Sequence, residues 1–201
     1  MVLPRSYYLN DDVLAIARSL LGKVIITTFD GKTTSVMITE TEAYAGVADR
    51  ASHAYGNRRT ARTEVMFAEG GVAYVYLCYG IHHLFNVVTN AADIPHAVLI
   101  RAGEPLEGID HMLLRRKKAT LTPTLTSGPG ALSAALGIRT IHTGVSLNGD
   151  SISIHDMGTN ISPAQIVAAT RIGVAYAGAD ALLPYRFYIA GNRFVSKAKG
   201  L

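Results

Sequence analysis

The chain has no tryptophan and a single cysteine, Cys78. One thiol cannot form a disulfide within the chain, and there is no cysteine cluster to hold zinc. A reducing compartment is therefore the expected setting. Charged residues are scarce, 17% of the chain against 49% hydrophobic, which argues against long disordered tracts. No apolar run has the length needed to span a bilayer, and residues 1–10 lack the apolar stretch of a signal peptide. Neither a G-x-x-x-x-G-K-[ST] loop nor a dinucleotide-binding fingerprint is present. The 201 residues suit one domain, 1–201, with a sizeable core, expected in the cytoplasm with no membrane association.

What is present leans basic. Lysine and arginine number 19 against 15 acids, a net charge of +4, with an isoelectric point near 9.2. That favours an anionic partner without by itself specifying nucleic acid. Val13, Ile16, Ala17, Leu20 and Leu21 have helical spacing, with Asn10 or Asp11 as cap and Gly22 as stop. Two β-rich runs, 23–29 and 33–43, flank Asp30-Gly31 and predict a hairpin. Residues 45–63 read as a polar loop. Runs 72–79 and 81–89 predict a second hairpin with Tyr79, Gly80, Ile81 and His82 near its tip. A strand is expected over 97–102, helices over 106–119 and 130–136, short strands over 151–155 and 186–190, and a helical turn over 163–169. Strands and helices mix without a βαβ rhythm, so the fold class is α+β with mostly antiparallel pairing.

Glu40 and Glu42 lie two apart on a predicted strand, so their side chains share a face. A carboxylate at a strand end beside a loop can sit at a pocket mouth and act as a base; the alternative is a solvated acidic strand face. Tyr44, Tyr74, Tyr76 and Tyr79 supply flat faces for stacking and hydroxyls for hydrogen bonds. Strand propensity accounts for Tyr74. Tyr79 falls out of phase with Tyr74 and Tyr76 at a hairpin tip, where an aromatic could wedge between bases. His53 fits as a hydrogen-bonding group in a pocket. His82 and His83 face opposite ways on a strand and could hardly share a metal ion, so no metal site is expected. Arg58, Arg59 and Arg62 in one loop, and Arg115 to Lys118 in a second run, could contact phosphates or simply be solvated. Gly128-Pro129-Gly130 before a helix could present N–H groups to an anion.

Taken in order, these residues resemble the alkyladenine (3-methyladenine) DNA glycosylase family. The resemblance rests on Glu40-Thr41-Glu42-Ala43-Tyr44 followed by Asp49, Ala51 and His53; on Met66-Phe67, Tyr74-Val75-Tyr76, Tyr79-Gly80 and Asn86-Val87-Val88; on Leu99-Ile100-Arg101-Ala102 and Glu104-Pro105-Leu106-Glu107-Gly108; and on Ser127-Gly128-Pro129, Arg171-Ile172-Gly173 and Arg186-Phe187-Tyr188. It runs over nearly the whole chain. The residue after Tyr-Gly, often Met in the family, is Ile81 here.

The resemblance implies a fold similar to the C-terminal domain of methionyl-tRNA formyltransferase: a curved antiparallel sheet, flanking helices and a protruding hairpin. It implies a monofunctional base-excision-repair glycosylase that flips alkylated or deaminated purines from duplex DNA and cuts the base–sugar bond, leaving an abasic site. Glu42 would activate water, with Arg101 supporting the carboxylate and the water. Tyr44, His53 and Tyr76 would line the pocket, and the backbone around Ala51 and His53 would read the base edge. Asn86 at the floor would help reject guanine, and Tyr79 would fill the gap in the duplex. No lysine sits in the matched motifs, so no Schiff base and no strand cleavage are expected. No cofactor is expected, and the partner is double-stranded DNA bound by a monomer. The start of the chain close to the first helix fits a bacterial-type form working at the nucleoid. Two other classes compete. One is a nucleic-acid-binding module without chemistry, which would not need Glu42 with Tyr44, His53 and Tyr76. The other is a sugar hydrolase using Glu40 and Glu42, which sit too close for an inverting mechanism.

Overall fold

The first helix, α1 (Val13–Ser19), follows the expected spacing and buries Val13, Ile16 and Ala17. Its cap is Asp12, not Asn10 or Asp11: the Asp12 carboxylate accepts from the Leu14 and Ala15 N–H groups. Asn10 instead accepts from the Asp12 N–H and so fixes the cap in place. The structure, a computed structural model, describes residues 1–197; residues 198–201, at the end of the expected 1–201 domain, lie outside the described residues.

Strands β1 (Val24–Phe29) and β2 (Lys32–Tyr44) form the first expected hairpin. Asp30 and Gly31 at its turn have φ of 52° and 70°, the positive values that match a two-residue turn to strand twist. β2 has 13 residues and is the axis of one 8-stranded sheet in which every strand pairing is antiparallel. One of its edges pairs with β5 (His96–Glu107). The other pairs with β1 from Lys32 to Met37, then with β8 (Arg186–Ile189) from Glu40 to Glu42. The second expected hairpin, β3 (Ala73–Cys78) with β4 (His82–Thr89), joins through β4 to β5. β6 (Ile152–His155) pairs with β1, and β7 (Ile166–Ala169) with β8.

Helices α2 (Ile109–Arg116) and α3 (Pro129–Leu136) complete the α+β arrangement. Val36, Ile38, Phe85, Ile100 and Phe187 of the sheet pack with Leu20, Met112, Leu132 and Leu136 of the helical segments in one buried cluster. Each such side chain contributes about 1.5–3 kcal/mol by leaving water. Among the described residues no helix is long and apolar enough to cross a membrane.

Two further expectations are corrected. The helix expected over 106–119 begins at Ile109, because Leu106 and Glu107 continue β5. The helical turn expected over 163–169 is a 3₁₀ turn, Pro163–Gln165, followed by β7; β-branched Ile166 and Val167 pair with β8 instead of extending the turn. In the basic run Arg115 donates to Ala135 O and Thr34 Oγ1, and Arg116 to Leu125 O and Thr124 O. These two arginines hold backbone, which leaves Lys117 as the exposed member of the run and Lys118 half-buried.

The cap gives a direct test. Asp12→Ala is expected to lower the free energy of unfolding by about 1 kcal/mol, whereas Asp11→Ala should stay within about 0.5 kcal/mol of the parent. Urea denaturation followed by circular dichroism distinguishes the two.

Candidate active site

Where the sheet forks around β2, one rung crosses four strands: Asn86 on β4 opposite Leu99 on β5, Leu99 opposite Glu42 on β2, and Glu42 opposite Arg186 on β8. Directly paired residues face the same side of a sheet, so Asn86, Leu99 and Glu42 are set together. Between the pairs Glu40–Ala102 and Thr41–Ile100, β5 carries one extra residue, Arg101. Such a bulge re-aims its side chain, and here the guanidinium lies between two carboxylates. Its Nε is 3.0 Å from Glu40 Oε1 and one terminal nitrogen is 3.3 Å from Glu42 Oε1.

Above this rung is a cavity of about 490 Å³. Tyr74, Tyr76 and Asn86 line it from the β3–β4 hairpin, Leu99 and Arg101 from β5, and Tyr44 from the end of β2. The loop at Ala51 and His53, the start of α3 at Ser127–Ala131 and the segment at Ile172–Tyr176 close its sides. Glu42 lies fully buried behind Tyr44 and Arg101. The Ile172 N–H donates to its Oε1 at 2.8 Å and the Tyr44 hydroxyl to its Oε2 at 2.8 Å. Burial raises the Glu42 pKa above the usual carboxylate value; Arg101, the Ile172 N–H and the Tyr44 hydroxyl oppose that rise by favouring the ionised form.

Apart from Arg101, the cavity wall is largely neutral and aromatic. His53 Nδ1 is 2.8 Å from the Tyr74 hydroxyl, and its ring meets the Tyr76 ring edge-on at 4.7 Å. Burial, with Arg62 and Arg58 nearby, lowers the His53 pKa to about 4, so the ring is uncharged at neutral pH. An Arg62 nitrogen lies 3.4 Å from His53 Nε2, and its guanidinium carbon is 5.0 Å from the centre of the Tyr76 ring. Asn86 is locked by two donations from its amide nitrogen, to Tyr74 O and Leu84 O. Ala51 is committed at both backbone atoms: its N–H donates to Asp49 Oδ1, and its carbonyl accepts from the Tyr176 hydroxyl. Tyr79 stands at the hairpin tip, 90% exposed, with φ of +51°. A left-handed backbone costs a non-glycine residue roughly 1–2 kcal/mol, and the Gly80 that follows takes the other positive φ of the turn.

Against this geometry, residues 7–193 match the methylpurine-DNA glycosylase family. The chain belongs to the methylpurine-DNA glycosylase family. Its similar relatives include two chlamydial proteins, each called "Putative 3-methyladenine DNA glycosylase". That of Chlamydia felis is 47% identical over 189 residues, covering 94% of this chain and 96% of the relative. That of Chlamydia abortus is also 47% identical, covering 94% and 98%. A Bacillus thuringiensis protein with the same name is 45% identical over 205 residues, covering 98% and 100%.

This methylpurine-DNA glycosylase family member also relies on residues to which the sequence alone assigned no role. Arg171 is fully buried and binds both oxygens of Asp49, at 2.5 and 2.8 Å, together with the carbonyls of Ala43 and Asp180. Asp49 in turn accepts from the Ala45 and Ala51 N–H groups. The pair thus ties the cavity loop to the segment that offers Ile172 N–H to Glu42. Glu40 accepts from Arg101, from Arg186 and from both the N–H and the hydroxyl of Ser196. The C-terminal segment is therefore fastened beneath the Arg101 bridge. Of the three loop arginines, Arg58 and Arg62 have no carboxylate partner among the described residues, whereas Arg59 pairs with Glu64 and Asp93 and lies over the Phe67 ring.

Arg171→Lys tests the clamp. One ammonium cannot hold both Asp49 oxygens and two carbonyls. Breaking a buried pair costs about 3–5 kcal/mol, and a loss near that size is expected in chemical denaturation.

Proposed function

We propose that this chain is a monofunctional DNA glycosylase that accepts an alkylated or deaminated purine, flipped out of duplex DNA, and hydrolyses its N-glycosidic bond. The observation that carries the proposal is the buried Glu42 carboxylate, held by Tyr44, Ile172 and Arg101 behind an aromatic cavity whose rim carries the exposed Tyr79. The names of the relatives agree with it.

A base inside a duplex is out of reach of a carboxylate, so it must be extruded, at a cost of a few kcal/mol that damaged or mispaired bases reduce. Stacking against Tyr44, His53 and Tyr76 offsets about 1–3 kcal/mol. An alkylated purine carries positive charge, which tyrosine faces attract and which neutral His53 does not repel. The Ala51 N–H is engaged by Asp49, so the Ala51 carbonyl, which keeps one lone pair beside the Tyr176 hydroxyl, and the backbone at His53 are the groups left to read the base edge. Asn86, fixed by its two hydrogen bonds, is the wall that excludes the exocyclic amino group of guanine. Tyr79 fills the space vacated in the stack.

Glu42 takes a proton from water as the water oxygen bonds to the anomeric carbon. The glycosidic electron pair leaves with the base, neutralising the cation of an alkylated purine; a deaminated purine leaves as an anion and takes up one proton, which balances the one that Glu42 removes from water. The ionised carboxylate also stabilises the oxocarbenium-like sugar on the way. Arg101, 3.3 Å from Glu42, also lines the cavity and is the group that orients the water beside the carboxylate. Water is the nucleophile and no lysine enters the chemistry, so the product is an abasic site in an uncut strand. A two-carboxylate sugar hydrolase is disfavoured, because Glu40 is already occupied by four donors.

Release of free base from duplexes carrying 3-methyladenine, 7-methylguanine, hypoxanthine or ethenoadenine tests the proposal directly. Glu42→Gln should still bind the lesion, with its amide donating to Tyr44, while excision falls by about 10²–10⁴. A variant within a few-fold of the parent removes Glu42 from the base role. In the parent, excision should fall as pH drops through the Glu42 pKa, and the raised value places that limb above the usual carboxylate range. A limb at or below that range speaks against the assignment.

Tyr79→Ala should weaken flipping by the roughly 1–3 kcal/mol of a lost base stack and leave affinity for undamaged duplex nearly unchanged. A fluorescent base analogue beside the lesion reports the flipped population; equal flipping in both proteins removes the wedge role.

A further inference from the structure

A second concavity, about 390 Å³, lies on the other face of the β3–β4 hairpin. Successive strand residues point to opposite faces, and here they separate two cavities. His82 lines the aromatic cavity, and His83 lines this one together with Phe29, Arg115, Gly137, Arg139 and His142. The hairpin that presents Tyr79 is thus a partition with a concavity on each side.

The two histidines have their tautomers fixed by backbone. The Thr140 N–H donates to His83 Nδ1 at 3.2 Å, and the Arg139 N–H donates to His142 Nδ1 at 2.9 Å. With Nδ1 accepting, each neutral ring carries its proton on Nε2, where it is a free donor. The His142 ring is held flat against Phe29, 4.4 Å between centres and 8° between planes. Arg139 is exposed and pairs with no carboxylate among the described residues. Arg115 donates to Ala135 O and Thr34 Oγ1 and closes over Gly137, where an added Cβ would come within 3.1 Å of the guanidinium carbon. Burial, then Arg139 and His83, hold the His142 pKa below its usual value. Asp30 is the one acid that lines the concavity, and it faces Arg115.

We propose that this concavity is a phosphate subsite, in which Arg139 and the Nε2–H groups of His83 and His142 grip a phosphodiester of the duplex across the hairpin from the flipped base. The inference rests on the proposal that the chain binds duplex DNA. A B-form minor groove is only about 6 Å wide, so a hairpin tip placed in it has backbone phosphates on both flanks. The aromatic cavity serves one flank, and the second concavity offers donors and positive charge on the other. Arg115 adds charge at the floor, and the short distance along β4 from His82 to His83 keeps the two grips in register with the Tyr79 wedge.

Two measurements test the subsite. In the first, inorganic phosphate replaces chloride at constant ionic strength while imidazole ¹H–¹⁵N resonances are followed. Selective shifts at His83 and His142, lost in Arg139→Gln, are expected. In the second, affinity for undamaged duplex is measured against salt. The slope of log affinity on log salt should fall by about 1 in Arg139→Gln, the loss of one charged phosphate contact, whereas His142→Gln, which removes a neutral donor, should lower affinity and leave the slope unchanged. Phosphate-induced shifts with an unchanged slope in Arg139→Gln would overturn the duplex assignment and identify a free or small-molecule phosphate as the ligand. No shifts and no slope change would overturn the subsite altogether. A parent that binds duplex but releases no methylated purine would defeat the glycosylase proposal and leave the phosphate result standing.

Discussion

Two carboxylates on one strand face, two residues apart and sealed from water, would repel each other and both resist ionisation. Arg101 makes the arrangement tenable by lying between them, with Glu40 on one side and Glu42 on the other. The same balance extends outward. The charged residues buried among the described residues are Glu40, Glu42, Asp49, Arg101, Arg171 and Arg186, three of each sign, and every one has an opposite partner. A buried charge with no partner costs several kcal/mol, so removing one member leaves the others in deficit. Glu42 is the least compensated of the acids. Its one ionic contact is the long one to Arg101, and its other donors are a hydroxyl and an amide. That imbalance keeps it basic.

The site divides into a charged layer and a neutral one. The ionic cluster lies behind the sheet surface, and what faces the cavity is largely Tyr44, His53, Tyr74 and Tyr76. Of that cluster Arg101 alone reaches the cavity wall, while Glu42 stays buried behind it. Tyr79 lies outside both layers on a backbone that a bulky residue adopts only under strain, a feature that marks functional turns.

Much of the fold was legible because its signals are local. The Asp30-Gly31 hairpin, the second hairpin and the amphipathic α1 announce themselves within a few residues. β7 was hidden because four residues after a proline turn look helical until β8 arrives to pair with them. Site residues on strands were legible through their spacing and their family pattern. The Arg171–Asp49 clamp was not, since its members are 122 positions apart and neither has a local signature. The loop arginines looked alike in sequence, yet Asp93 and Glu64 engage only Arg59. The N–H donors of Arg115 and Arg116 are engaged by carbonyls that no window of sequence reveals.

β2 pairs with three strands, and Glu42 sits where two of them flank it at once. Catalytic groups are often carried on loops, which open locally at little cost. Here the Glu42 carboxylate cannot be displaced without unzipping the central ladder of the sheet, whereas the loop that carries His53 and the segment that offers the Ile172 N–H can open around it. The carboxylate is thus the last part of the site to be lost as the protein unfolds, and the aromatic wall around it the first.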